Sequence, residues 1–108
     1  MIYPVRFTDA AALDLEEICD WIAQNDAPAK ANHVLDRVSE VIESIASMPY
    51  RGSRPRELPS GIEGDYRQLY FKPYRIIYEF AETEVIVYVV ADGRRNLQAL
   101  LLRRLTSD

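Results

Sequence analysis

The stretch DYRQLYFKPYRIIYEFAETEVIVYVVA, residues 65–91, decides the fold. It contains three runs rich in β-branched and aromatic residues, Asp65 to Phe71, Tyr74 to Phe80 and Glu84 to Ala91, a composition that suits a pleated, half-buried surface. The links Lys72-Pro73 and Ala81-Glu82-Thr83 are short enough to make successive hairpins, so the three strands are predicted to form an antiparallel meander. Alternation then sorts the side chains. In the middle run Tyr74, Ile76, Tyr78 and Phe80 share one face, and Arg75, Ile77 and Glu79 share the other. The apolar face is expected to pack on helices. Arg75 is expected to emerge on an open face, joined by Arg67 or Gln68 according to register.

Upstream, Tyr3, Val5 and Phe7 alternate as a short strand and meet Thr8-Asp9, a plausible helix cap. From Asp9 to about Asn25 the apolar positions Ala11, Leu15, Ile18 and Ile22 fall on one helical face, with Asp14, Glu17 and Asp20 largely opposite. Asp26-Ala27-Pro28 reads as a stop and a capped restart. A second helix follows, with Ala31, Val34, Leu35, Val38, Val41, Ile42 and Ile45 as its stripe and Met48-Pro49 as its end. So short a link folds the two helices back as an antiparallel hairpin. Pro49, Pro55 and Pro59 with Gly52, Gly61 and Gly64 make residues 49–64 a loop, and Asn96 caps a last helix through Leu97, Leu100, Leu101 and Leu105. The order β-α-α-β-β-β-α describes one α+β domain over residues 1–108, a helical hairpin on a twisted antiparallel sheet with a C-terminal helix.

Composition narrows the function. No apolar run approaches the roughly 20 residues of a membrane helix, no basic-then-apolar leader opens the chain, and a lone Cys19 sits among apolar helical positions as a reduced, packed thiol. The cytosol is the expected compartment. A single His33, mid-helix, and a single cysteine make no zinc cluster, and no calcium-loop spacing occurs, so neither metal nor cofactor is expected. Asp14, Glu16, Glu17 and Asp20 have the helical distribution of a solvated face rather than of an acid–base pair. Most of the seven tyrosines fall in strands as packing residues. A net charge of −4 argues against a purely electrostatic nucleic-acid binder. The charge is nevertheless segregated: residues 9–48 carry nine acidic and two basic side chains, residues 49–78 six basic and three acidic. One half of the molecule can still meet an anionic target.

Tyr66-Arg67, Tyr74-Arg75-Ile76-Ile77-Tyr78-Glu79, Asp92-Gly93-Arg94-Arg95-Asn96 and Arg103-Arg104-Leu105, in this order and spacing, resemble the RelE/ParE toxin superfamily over almost the whole chain. The turn from Pro49 to Gly52 matches the same pattern. The resemblance implies a microbial RNase-like α/β fold, no cofactor, and a small antitoxin from a neighbouring gene that wraps the toxin and relieves growth arrest. RelE-like members cleave messenger RNA on the ribosome. ParE-like members poison DNA gyrase through protein binding. Arg75 matches the RelE-like arginine of the middle strand and Arg95 the basic residue after the last strand. Leu101 stands where RelE-like nucleases place a tyrosine, and neither His nor Tyr follows Tyr88. Proton transfer needs a group that can give and take a proton, which arginine does not do, so the tail points to the ParE-like branch. The target-binding candidates are therefore Arg67, Arg75, Arg94 and Arg95. The apolar surface of the last helix, Leu97, Leu100, Leu101 and Leu105, is the candidate antitoxin-binding surface. A ribosome-dependent endoribonuclease and an inactive homologue that only binds its antitoxin stand as alternatives.

Overall fold

Thr8 ends a three-residue strand, β1 (Val5–Phe7), and starts a helix, α1 (Asp9–Asn25), its hydroxyl accepting the Ala11 N–H at 3.1 Å. The computed structural model describes residues 1–106. Helix α2 (Pro28–Ser47) begins with proline in its first turn, as expected. Its N-cap is Ala27, which offers no side-chain bond; Asp26 instead pairs with Lys30 at 3.1 Å, so the capping role expected of it is not found. Strands β2 (Tyr66–Phe71), β3 (Tyr74–Phe80) and β4 (Val85–Asp92) follow, then helix α3 (Leu97–Thr106), capped by Asn96 through a 3.1 Å bond from the Ala99 N–H. No helix among the described residues is long and apolar enough to cross a membrane.

The sheet order is β1-β4-β3-β2. The meander β2-β3-β4 is antiparallel throughout, and β1 adds to β4 in parallel, Val5 opposite Val85 and Phe7 opposite Val87. Phe80 follows parity and packs on the α1–α2 side with Ile76 and Tyr78, where Ala11, Val38, Ile45, Val85, Val87 and Val90 complete the main core. The second face is not open. Ile77, Val89 and Ala91 form a second cluster beneath Leu97, Leu100 and Leu101 of α3. The sheet is thus the middle of three layers, with apolar side chains on both faces, and β3 and β4 read as near-continuous hydrophobic runs for that reason. Tyr88 is the extra residue of a bulge, since Ile77 pairs with Val89 and Tyr78 with Val87; both Tyr88 and Val89 turn toward α3.

Candidate functional site

Parity puts Arg75 on the second sheet face, and the structure keeps it there but not in solvent: the residue is 6% exposed. Glu57, carried in by the loop between α2 and β2, meets its guanidinium in a bidentate pair at 2.7 and 2.9 Å. Register places Gln68 rather than Arg67 beside it; the Gln68 Oε1 accepts from the Arg75 Nε at 2.9 Å and also from a terminal guanidinium nitrogen. The Tyr70 ring lies under the guanidinium carbon at 5.5 Å. Hydrogen bonding to Arg75 holds the Glu57 carboxyl below the usual carboxylate range, and bonding to Glu57 in turn raises Arg75. The exposure expected of Arg75 is therefore overturned. Strand alternation reports a face, and only the loop decides whether that face is covered.

Arg67 points to the other side, where its Nε bonds Asp65 at 2.9 Å and a terminal nitrogen donates to the Tyr50 and Gly52 carbonyls. It clamps the loop. Tyr78, fully buried, does the same from below: its hydroxyl donates to the Pro49 carbonyl at 2.7 Å and accepts from the Gly52 N–H at 3.2 Å. A Cβ at Gly52 would stand 2.7 Å from both the Gln68 carbonyl oxygen and the Tyr78 hydroxyl, so the close approach of loop to sheet requires glycine there. At the Glu79 end of β3 the second face carries Tyr66 and Tyr88, edge to face at 5.7 Å, with the Tyr88 hydroxyl donating to Glu79 at 3.1 Å. Burial, then the nearby Glu79 charge, pushes Tyr88 up to about 12.

Two residues that matter here were read differently from the sequence. Asp14, assigned to a solvated helical face, is 7% exposed and pairs bidentately with Arg104 at 2.7 and 2.9 Å. Arg104, assigned to the helix dipole, also donates to the Tyr88 carbonyl at 2.8 Å, while Asp14 accepts the Val90 N–H at 3.0 Å. The physical reason is the brevity of β1. Its pairing with β4 ends at Val87, and the next backbone groups along that edge are satisfied by this side-chain pair instead. A carboxylate and a guanidinium 90 positions apart leave no periodic signal; the only hint is that Asp14 falls three residues after Ala11 and four before Ile18, inside the apolar stripe.

Arg94 is exposed and spends itself on Asp92 at 2.8 Å, holding that carboxyl below its usual range. Arg95 is exposed and lines, with Arg94, an open groove of about 360 Å³ whose apolar walls are Ile18, Trp21, Pro73 and Tyr74. Trp21 is 65% exposed. Of the leucines proposed as docking surface, Leu97, Leu100 and Leu101 are buried in the chain's own second core and Leu105 packs against it, so as folded they offer a partner little; the exposed leucine of α3 is Leu102, outside that set. Cys19 is half-buried, its thiol raised by burial and then by Asp20, and His33 is exposed. No cluster of metal-ligating side chains exists among the described residues.

A family model described as the ParE toxin of the type II toxin–antitoxin system parDE matches residues 5–97. Toxin ParE3 of Caulobacter vibrioides is 26% identical over 88 residues, which is 82% of this chain and 84% of that protein. Among solved structures, a chain of the chromosomal ParDE toxin–antitoxin system from P. aeruginosa superposes with a TM-score of 0.67 at 20% identity, covering 84% of this chain and 96% of the other. A chain of the toxin–antitoxin complex RelBE2 from Mycobacterium tuberculosis superposes with a TM-score of 0.58 at 23% identity, covering 85% and 99%. At such identities the two structures establish the shared fold.

Proposed function

Because the chain belongs to the ParE toxin family of type II toxin–antitoxin systems, we propose that it inhibits DNA gyrase by binding and is neutralised by a cognate antitoxin protein. The observation that carries binding over cleavage is the sealed second face. Cutting RNA at a ribose 2′-hydroxyl wants one group to take a proton, one to return it, and a cation for the phosphate. The cation on this face, Arg75, is already matched by Glu57 and Gln68. The last tyrosine of the chain, Tyr88, titrates at about 12 and stays protonated at neutral pH, and position 101 is a fully buried leucine.

Antitoxin docking is better served by the groove of Ile18, Trp21, Pro73 and Tyr74 than by the leucines of α3, because a large exposed indole in an open apolar groove accepts an apolar segment, while Glu17 and Asp92 balance Arg94 and Arg95 at its rim. Purified toxin should stop supercoiling by gyrase while leaving translation intact. Undisturbed supercoiling at saturating toxin, with new message ends on translating ribosomes, would instead establish the nuclease reading. Growth arrest by this chain alone, relieved by its neighbour's product, separates an active toxin from an inactive homologue. Trp21→Ala should weaken capture of the antitoxin about tenfold or more while gyrase inhibition persists; unchanged capture removes the groove from the interface.

A further inference from the structure

Six basic side chains lie in residues 49–78; Lys72 is exposed in the link between β2 and β3, and the structure divides the five arginines by use. Arg67 and Arg75 are spent inside the molecule, on Asp65 and the loop carbonyls and on Glu57. Arg51, Arg54 and Arg56 are all exposed, and none has an ion-pair partner among the described residues. They belong to one loop segment in which Pro49, Gly52 and Pro55 are buried while Arg51, Arg54 and Arg56 lie at the surface, Arg54 also donating to the Gly64 carbonyl at 3.2 Å. Next to them Tyr50 is 58% exposed.

This turn is held rigidly for an irregular segment. Tyr78 grips the Pro49 carbonyl and the Gly52 N–H from the core. Arg67 grips the Tyr50 and Gly52 carbonyls. Ser53 and Gln68 exchange backbone bonds of 3.2 and 2.7 Å, so the turn forms a bridge on the outer edge of β2. The acid next to them in sequence, Glu57, is turned inward to Arg75. The positive charge is therefore local, outward and pre-ordered, and a ligand that meets it pays little to immobilise the backbone.

We propose that the Tyr50–Arg56 turn is a nucleic-acid contact, in which Arg51, Arg54 and Arg56 hold backbone phosphates and the Tyr50 ring offers a stacking face to a base. Guanidinium groups suit phosphate oxygens, and an exposed aromatic ring beside them suits a ligand that carries flat bases between its anions. An acidic protein segment would use the arginines but not the ring. The acidic α1–α2 half repels the same ligand, so binding is confined to this turn and is sensitive to salt. With three phosphates engaged on a single strand, the logarithm of the binding constant should fall with the logarithm of salt concentration at a slope of about −2.

The inference is independent of gyrase inhibition, and the two fail separately. Fluorescence anisotropy of the full chain with labelled 20-nucleotide RNA, single-stranded DNA and duplex DNA at low salt tests it. Binding of at least one is expected, and the preferred strand type identifies its source. Arg51→Glu, Arg54→Glu and Arg56→Glu together should cost at least tenfold without changing the thermal midpoint appreciably, since all three side chains are exposed. Tyr50→Ala should reduce single-strand binding severalfold. A milder variant with all three arginines changed to glutamine should halve the salt slope or better. The proposal is overturned by no binding at low salt, by equal binding of the wild type and the triple glutamate variant, or by an acidic peptide that competes as well as an oligonucleotide of the same charge.

Discussion

Glu57 supplies the carboxylate that neutralises the Arg75 guanidinium beneath the loop, and its own protonation is linked to folding. Its pKa is depressed below the ordinary value of 4.5 in the folded chain. The stabilisation is therefore complete above that value and is lost as pH falls through the lower, folded one. Glu57→Gln should lower stability by about 1–3 kcal/mol at neutral pH and flatten the acid limb of a urea-midpoint profile; an unchanged acid limb would show that other carboxylates dominate it. Tyr88 acts with the opposite sense. Its folded pKa is raised from 10.0 to about 12, so its contribution is present below pH 10 and declines as pH rises toward 12. Tyr88→Phe should reduce that alkaline decline. Tyr66, Tyr74 and Tyr78 are raised as well, and they leave a residual slope. Asp14 and Arg104 are the residues with most to lose singly: Asp14→Asn removes the whole charge that faces the half-buried Arg104 guanidinium and should cost about 3 kcal/mol.

At the level of elements, α3 is a lid on the sheet as well as a terminal helix. Leu101 is wholly buried against Ile77 and Val89, so Leu101→Ala should cost about 2–5 kcal/mol in chemical unfolding. Leu102→Ala, at a 54% exposed position on the same helix, should cost well under 1 kcal/mol. Equal losses would place α3 differently. The elements themselves were legible in sequence because each has a local cause: Thr8 and Asn96 cap, Pro28 fits a first turn, and the three runs of residues 65–91 alternate. The pairing of β1 was not, because the alternation of Tyr3, Val5 and Phe7 marks a strand without naming its partner, which in β4 lies 80 positions away. The bulge at Tyr88 was equally silent, since it depends on register across two strands and not on either strand alone.

For the whole molecule, two apolar clusters share one sheet, with Ile76 and Tyr78 facing α1 and α2 and Ile77 facing α3. Neither can be lost while the other stays packed, so unfolding should be a single transition, with tyrosine fluorescence and far-UV circular dichroism changing together. A separate early loss of the α3 side would mean the layers are independent. The charge segregation read from composition persists at this scale, but its meaning changes: Arg67 and Arg75 support the fold, while the turn from Tyr50 to Arg56 presents the outward charge.

The order of elements, the antiparallel meander and the face on which each β3 residue lies follow from the sequence, because helix and strand periodicity are local properties of the chain. The use made of the charged residues was decided by tertiary structure. Arg75, Asp14 and Arg104 look like surface groups by residue type, yet Arg75 and Asp14 are buried and Arg104 half-buried, each against a segment far away along the chain: Glu57 for the first, and one another for the other two. Desolvating a charge is costly unless a partner arrives with it, and that partner exists only once the chain has closed.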